Sequence, residues 1–439
     1  MQLDHTHDVG RTSWLASAND PACDFPIQNL PFAVFRRAGS DEAFRGGVAI
    51  GDQVIDTAKL AQIAGLPDDV IRAIQACAKP RLNDFLALGR PVWTALRHAL
   101  FALLERGASG PGVDSVKAAL IPLAEVKYAV PLTIGDYTDF YTSVHHAVNI
   151  GNLIRPDDPL TPNFRWIPIA YHGRVSSIGV SGQRVQRPHG QFIRAGAQTP
   201  VYAPCARLDY ELELGVYVGC GTQAGTSLSV DEADAHIFGI CLLNDWSARD
   251  IQWWEMAPLG PFLAKNFATT LSPWIVTMDA LAPYRANWNR AADEPQPLDY
   301  LESERNREAG AIDIRLQVSL QSARARAAKR APTRISETTF AHQYWSIAQM
   351  LAHHTSGGCP MNAGDLFGSG TISGPGDAEA GALIELSRGG QTPVDIGAGE
   401  KRSYLEDGDV VILRGWCERM GFARIGFGEC RGEVTPARE

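Results

Sequence analysis

Residues 208–218 read Leu-Asp-Tyr-Glu-Leu-Glu-Leu-Gly-Val-Tyr-Val, with acids alternating against apolar residues. A period of two is the mark of an extended strand, so Asp209, Glu211 and Glu213 share one face. Successive acids on that face stand roughly 6.6 Å apart, a gap that two glutamates can close around one cation through oxygen bonds of about 2.0 to 2.6 Å. Asp209 lies about 13 Å from Glu213 by the same rise, too far for all three to chelate one ion easily. Alternation alone favours an edge strand with one wet face over a cation site.

Two acids elsewhere sit where an unpaired charge is expensive. Asp139 lies in Ile-Gly-Asp-Tyr-Thr-Asp-Phe-Tyr and Asp245 in Cys-Leu-Leu-Asn-Asp-Trp-Ser, both among aromatic or apolar neighbours. If they meet Glu211 and Glu213, the four carboxylates repel one another unless a hard cation holds them. An all-oxygen set without His or Cys suits Mg²⁺, Ca²⁺ or Mn²⁺ better than Zn²⁺. Either aspartate also serves as an ordinary turn or helix cap. His145 and His146 offer a general base that spacing cannot choose between, and Glu385, in the apolar run Leu-Ile-Glu-Leu read here as a strand, can orient an imidazole. Arg249 and Lys265 fit either an oxyanion or structural salt bridges. The glycine-rich run 368–374 presents backbone N–H groups and the Thr371 hydroxyl, as many ordinary turns do.

A chain of 439 residues, 45% hydrophobic and 20% charged, has enough apolar surface for about two domains. The net charge of −9 and the lack of any Lys/Arg-rich run argue against nucleic acid or an anionic membrane as partner. The N-terminal residues carry acids and histidines in place of a basic stretch leading an apolar one, and no apolar run approaches the ~18 residues of a membrane span, so a cytoplasmic location is expected. The eight cysteines form no C-x-x-C pair, which favours free thiols.

Turn-punctuated short strands are expected over 32–56 and helices over 68–106, with a break at 107–112. This divides the chain into a domain 1–130 and a larger domain 131–439 dominated by strands, among them 312–320, 410–413 and 423–427. A helix is expected over 341–354, and 287–310 and 323–337 read as polar loops or insertions.

The stretches IGDYTDFY, YHGR from Tyr171, LDYELEL, NDWSARDIQ from Asn244, PLGPFLAKNFATTLSPW from Pro258 and GSGTISG together resemble the fumarylacetoacetate hydrolase family, from about Asp24 to the C-terminus. The resemblance implies a mainly β protein with some α: a small N-terminal SH3-like barrel domain and a larger mixed β-sandwich or roll domain, usually a homodimer. It implies a hydrolase that cleaves the carbon–carbon bond of 4-fumarylacetoacetate, a small diketo acid of tyrosine and phenylalanine breakdown. Asp139, Glu211, Glu213 and Asp245 fall on its metal carboxylates, and Lys265 and Thr269 on a neighbouring cation site. His146 falls on the proton acceptor with Glu385 as its partner, and Arg249, Gln252 and Lys265 on oxyanion and substrate contacts. Tyr141, Arg155, Tyr171 and Thr371 fall on further substrate contacts. Met256 replaces a substrate-contacting tyrosine of the family and so removes a hydroxyl donor there. Two readings compete: a metal enzyme that decarboxylates, hydrates or isomerises another oxo-acid, and a non-catalytic calcium-binding or scaffold protein.

Overall fold

The computed structural model describes residues 3–439. Its N-terminal part is built on an antiparallel sheet whose strands run in the order Leu120–Pro122, Gln53–Asp56, Arg45–Ile50, Phe32–Arg37 and Val126–Ala129. Helices Asp68–Cys77 and Arg90–Leu104 bury Val70, Ile74, Leu96 and Leu100 in the same core as Val34, Val48 and Ile55 of that sheet. The apolar stripes recur at helical spacing, which is why these segments coil instead of extending.

The larger part is built on two large sheets, with short two-stranded pairs beside them. One has eight strands, with the path Ile169–His172, Tyr137–Tyr141, Leu366–Gly368, Leu212–Val218, Ile237–Asp245, Thr269–Leu271 and Ile178–Val180, while Val276–Thr277 pairs beside it. The other orders Thr333–Thr339, Arg315–Gln321, Val410–Cys417, Ile425–Thr435 and Gln183–Gln186. Their apolar faces share one core that includes Leu212, Leu214, Leu242, Leu316, Val318, Leu413 and Phe427. The architecture is mainly β with some α, as expected.

Four local expectations are corrected. The stretch 208–218 is not one strand on a wet edge: Leu208–Asp209 pairs with Ser247–Ala248, Glu211 makes a single bridge to Ala382, and Leu212–Val218 lies buried inside the large sheet. The helix expected over 341–354 starts later, as Ile347–Thr355, because Ser346 and Gln349 form a capping box there. Residues 323–337 are not simply loop, since Thr333–Thr339 pairs with Arg315–Gln321. Its inner face is made by the buried hydroxyl residues Ser336 and Thr338, so apolar alternation does not reveal it. The region 287–310 includes a helix, Glu304–Ala309, capped by Ser303. Among the described residues no helix is long and apolar enough to cross a membrane.

Candidate active site

Three neighbouring strands of the large sheet bring the acids together. Leu366–Gly368 pairs in parallel with Tyr137–Tyr141, matching Gly368 to Asp139, and antiparallel with Leu212–Val218 on its other side. Asp139 and Glu213 therefore flank a strand that ends in glycine. A Cβ on Gly368 would stand 2.5 Å from Asp139 Oδ1, 2.8 Å from Glu213 Oε2 and 2.9 Å from the Tyr137 hydroxyl, so no larger residue fits while the acids keep their places. Asp245, at the end of Ile237–Asp245, completes a group in which one oxygen from each of Asp139, Glu213 and Asp245 lies within 4.8 Å of the others.

This trio is buried and short of partners. Asp139 Oδ1 and Glu213 Oε1 accept no hydrogen bond, and neither does the Tyr137 hydroxyl beside them find a partner. Burial, then repulsion from Asp245, pushes the Asp139 carboxyl well above the usual carboxylate range; burial, then Asp139 and Asp245, does the same to Glu213. Orphaned, mutually repelling oxygens with no nitrogen or sulfur donor fit a hard divalent cation.

Glu211 stands apart from the trio, because its oxygens are engaged by cations: Arg249 Nη1 at 2.7 Å and Lys265 Nζ at 2.5 Å. Burial would raise its carboxyl, but Lys265 and Arg249 overcome this and hold it below the usual range. Lys265 also reaches Asp245 Oδ2 at 2.6 Å, and burial, which would lower its ammonium, loses to Asp245 and Glu211. Tyr171 donates to Asp245 Oδ2 and Thr269 to Asp245 Oδ1, each at 3.1 Å. Gln252 Oε1 accepts from Arg249 Nη1 at 3.2 Å.

A second constellation is built on the helix Val144–Ile154. Ser143 caps it by accepting the His146 N–H, and the His146 ring meets Glu385 Oε1 through Nδ1 at 2.7 Å. Glu385 sits on a helical turn, Leu383–Leu386, not in a strand, because the Ser387 backbone N–H closes the turn on the Leu383 carbonyl, the Asp209 carboxylate accepts the Leu383 and Ile384 N–H groups at its start, and Leu383 and Ile384 still reach the core. Its carboxylate accepts from Ser373 at 2.9 and 3.0 Å and from Asn149 at 2.8 Å. Burial would raise Glu385, but His146 and these donors hold it below the usual range. Of the two adjacent histidines it is His146 that meets Glu385; the His145 ring lies 5.9 Å from that of His342. The Tyr141 ring packs edge-on against His146 at 5.3 Å.

The run 368–374 links the two constellations. Gly368 makes room for the trio, the Gly370 N–H donates to Glu213 Oε2 at 3.1 Å, Thr371 is buried behind it, and Ser373 holds Glu385. Arg155 and Met256 lie on the surface; Arg155 donates to the Pro159 carbonyl, and Met256 ends the helix Arg249–Glu255. Asn149, Ser373 and Tyr137 join the site without having been singled out for it, and Asp209, too far from Glu213 to share an ion, joins it through Arg249 Nε at 3.0 Å. Asn149 had a readable signal, standing one helical turn after His146 on the same face. Chemically, the site offers an under-partnered acid trio able to seat a cation, a buried imidazole–carboxylate pair, and two buried cations, Arg249 and Lys265, paired to Glu211.

Residues 28–131 match the fumarylacetoacetase N-terminal family and residues 137–435 the fumarylacetoacetate (FAA) hydrolase C-terminal family. The chain is 43% identical over 424 residues to a fumarylacetoacetase of Oryza sativa subsp. japonica, covering 95% of this chain and 96% of the relative. It is 44% identical over 419 residues to the Caenorhabditis elegans fumarylacetoacetase, with coverages of 94% and 97%. Against the Homo sapiens fumarylacetoacetase it is 43% identical over 422 residues, with the same coverages. A solved fumarylacetoacetate hydrolase from psychrophilic Exiguobacterium antarcticum shares the fold at a TM-score of 0.50 and 15% identity, covering 93% of this chain and all of that one.

Proposed function

The chain belongs to the fumarylacetoacetate hydrolase family, and from that premise we propose how its residues perform the hydrolysis. The reaction is the cleavage of fumarylacetoacetate, which the identity of about 43% along nearly the whole of both chains supports; the products are fumarate and acetoacetate. In this reading residues 131–439 carry the chemistry and residues 1–130 support them.

Asp139, Glu213 and Asp245, with Glu211 beside them, would hold a divalent cation, Mg²⁺, Ca²⁺ or Mn²⁺. When bound, the cation supplies Lewis-acid polarisation of the diketone oxygens. His146 gives its Nδ1–H to Glu385 and so keeps Nε2 free to accept a proton from water, an effect of about 10² to 10⁴ in rate. The hydroxide adds to the acyl carbon that becomes the new fumarate carboxyl. Arg249, Lys265 and Gln252 steady the resulting oxyanion, at about 3 kcal/mol per well-placed donor. The carbon–carbon bond then breaks with its electron pair going to the acetoacetate fragment as an enolate, and the proton held on His146 returns to that carbon. Tyr141, Arg155, Tyr171 and Thr371 orient the substrate and its carboxylates, and Thr269 with Lys265 keeps Asp245 in place.

The observation that carries this reading is the buried His146–Glu385 pair at 2.7 Å, joined to an under-partnered acid trio by one short loop. A calcium scaffold needs no such pair. Folded His146→Ala is expected to lose fumarate release by about 10²-fold or more; near-normal turnover would remove His146 from the mechanism. Metal-stripped protein should regain activity on addition of Mg²⁺, Ca²⁺ or Mn²⁺, and activity indifferent to all three would remove the cation.

The homodimer is supported by a run of exposed apolar side chains between residues 253 and 263, including Trp253, Trp254, Leu259 at 95% exposure and Phe262 at 67%. Sedimentation equilibrium should return twice the chain mass.

A further inference from the structure

Asp209 is fully buried, and its carboxylate is saturated by the protein alone. Oδ1 accepts the N–H groups of Leu383 and Tyr210, both at 2.8 Å. Oδ2 accepts the N–H of Ile384 and the Arg249 Nε–H, both at 3.0 Å. Four donors fill the roughly four acceptor positions of a carboxylate, so Asp209 has none left for an ion or substrate.

The donors lie on two pieces of the machinery. Leu383 and Ile384 open the helical turn Leu383–Leu386 that carries Glu385, the partner of His146. Arg249 is held at two of its three nitrogens, Nε by Asp209 and Nη1 by Glu211 and Gln252. Its Nη2 is buried without a partner. A guanidinium is planar and rigid, so fixing Nε and Nη1 fixes the direction in which Nη2 offers its hydrogens.

We propose that Asp209 is a positioning residue that holds the oxyanion arginine in register with the proton-accepting pair, one carboxylate gripping Arg249 and the turn that bears Glu385. The proposal rests on the roles given above to Arg249 and to His146 with Glu385. Asp209 touches neither substrate nor cation; it sets the distance between the group that takes the proton and the group that receives the negative charge. Displacements of about 1 Å in such a frame cost as much as 10²-fold in rate.

The test is steady-state kinetics of full-length Asp209→Asn on fumarylacetoacetate with saturating Mg²⁺, beside wild type and His146→Ala, with folding checked by circular dichroism and thermal unfolding. Asn keeps the shape but puts an N–H₂ where an acceptor is needed. The expected result is a kcat lower by about 10- to 100-fold, with KM and the Mg²⁺ affinity within about threefold of wild type. The loss should shrink when Arg249 is already Gln, because residues that act as a unit are not additive. Asp209→Glu, which keeps the charge but displaces the carboxylate by one methylene, should also lose kcat and serves if the Asn variant does not fold. A folded variant with kcat within about twofold of wild type, or a loss confined to KM, overturns the positioning role. Near-normal turnover by folded His146→Ala would instead overturn the reading of the pair, and with it this proposal. Loss in His146→Ala beside near-normal turnover in Asp209→Asn overturns the positioning role alone.

Discussion

Asp209 and Glu213 lie four residues apart in one stretch of sequence, in two different sheets, and the protein treats them oppositely. Asp209 is held by Arg249 and three backbone N–H groups, whereas Glu213 keeps one oxygen without any partner. Burial lifts both carboxyls. At Asp209 the Arg249 charge and two N–H groups pull back; at Glu213 the neighbouring Asp139 and Asp245 push further. Glu211, between them, is paired to two cations and belongs to neither extreme. The lesson is that buried acids of one short stretch divide into frame and seat according to the donors their neighbours bring, and an unmet oxygen marks the seat.

The largest break in this contrast should come at the seat. Glu213→Ala is expected to weaken Mg²⁺ or Mn²⁺ binding by more than the 10- to 100-fold typical of an outer partner, measured by calorimetric titration, and to remove ion-dependent turnover. Affinity unchanged from wild type would show that Glu213 is frame like Asp209.

A smaller effect is expected from the partners of Glu385. Ser373→Ala removes a donor to both its oxygens and should lower kcat by about tenfold with KM preserved, since a lost hydrogen bond to a charged group is worth about 1.5 kcal/mol or more. A change in KM alone would place Ser373 at the substrate instead.

The smallest is a matter of pH. Asp139 and Glu213 hold their protons above the ordinary carboxylate range. The unfolded chain sheds those protons as pH rises past roughly 4 to 5, so over the window from there upward the folded state binds more protons and stability falls with rising pH. The metal-free protein should therefore melt lower toward neutral pH. A cation at the trio replaces the protons, so the rise in Tm on adding Mg²⁺ should grow over the same window. Calorimetry in chelator and in Mg²⁺ across pH checks this, and an increment independent of pH would deny the trio its role.

Much of this was readable in the residues. Period-two patterns marked the strands Leu212–Val218 and Arg315–Gln321 but ran each a few residues too far toward its start, since Leu208–Asp209 and Ala311–Ile312 pair elsewhere, and the stripes in 68–106 marked helices. What escaped was set by partners rather than by pattern. Tyr210 and Glu211 fall between two strands because the pairing changes there, from Ser247–Ala248 to the large sheet. Thr333–Thr339 lacked an apolar face because its inner positions are hydroxyls. Glu385 sat in an apolar run that suits either a strand or a turn, and period alone cannot separate them over four residues. At the site, the acids were visible because carboxylates among aromatic residues are costly, and His146 with Glu385 was visible through the family likeness. Asp209 looked inert, since parity says which face a side chain takes and nothing of which donors meet it.

The strand Leu366–Gly368 lies between Tyr137–Tyr141 and Leu212–Val218, although it follows both by well over a hundred residues. As the chain leaves the ribosome, Asp139 and Glu213 are made long before the segment that must slide between their strands. Their acids therefore cannot face one another in final order until most of the protein has been synthesised. A chain released before Leu366 lacks the spacer between the two acids as well as Glu385, so premature termination leaves no partly competent enzyme, however much of the N-terminal sheet has folded.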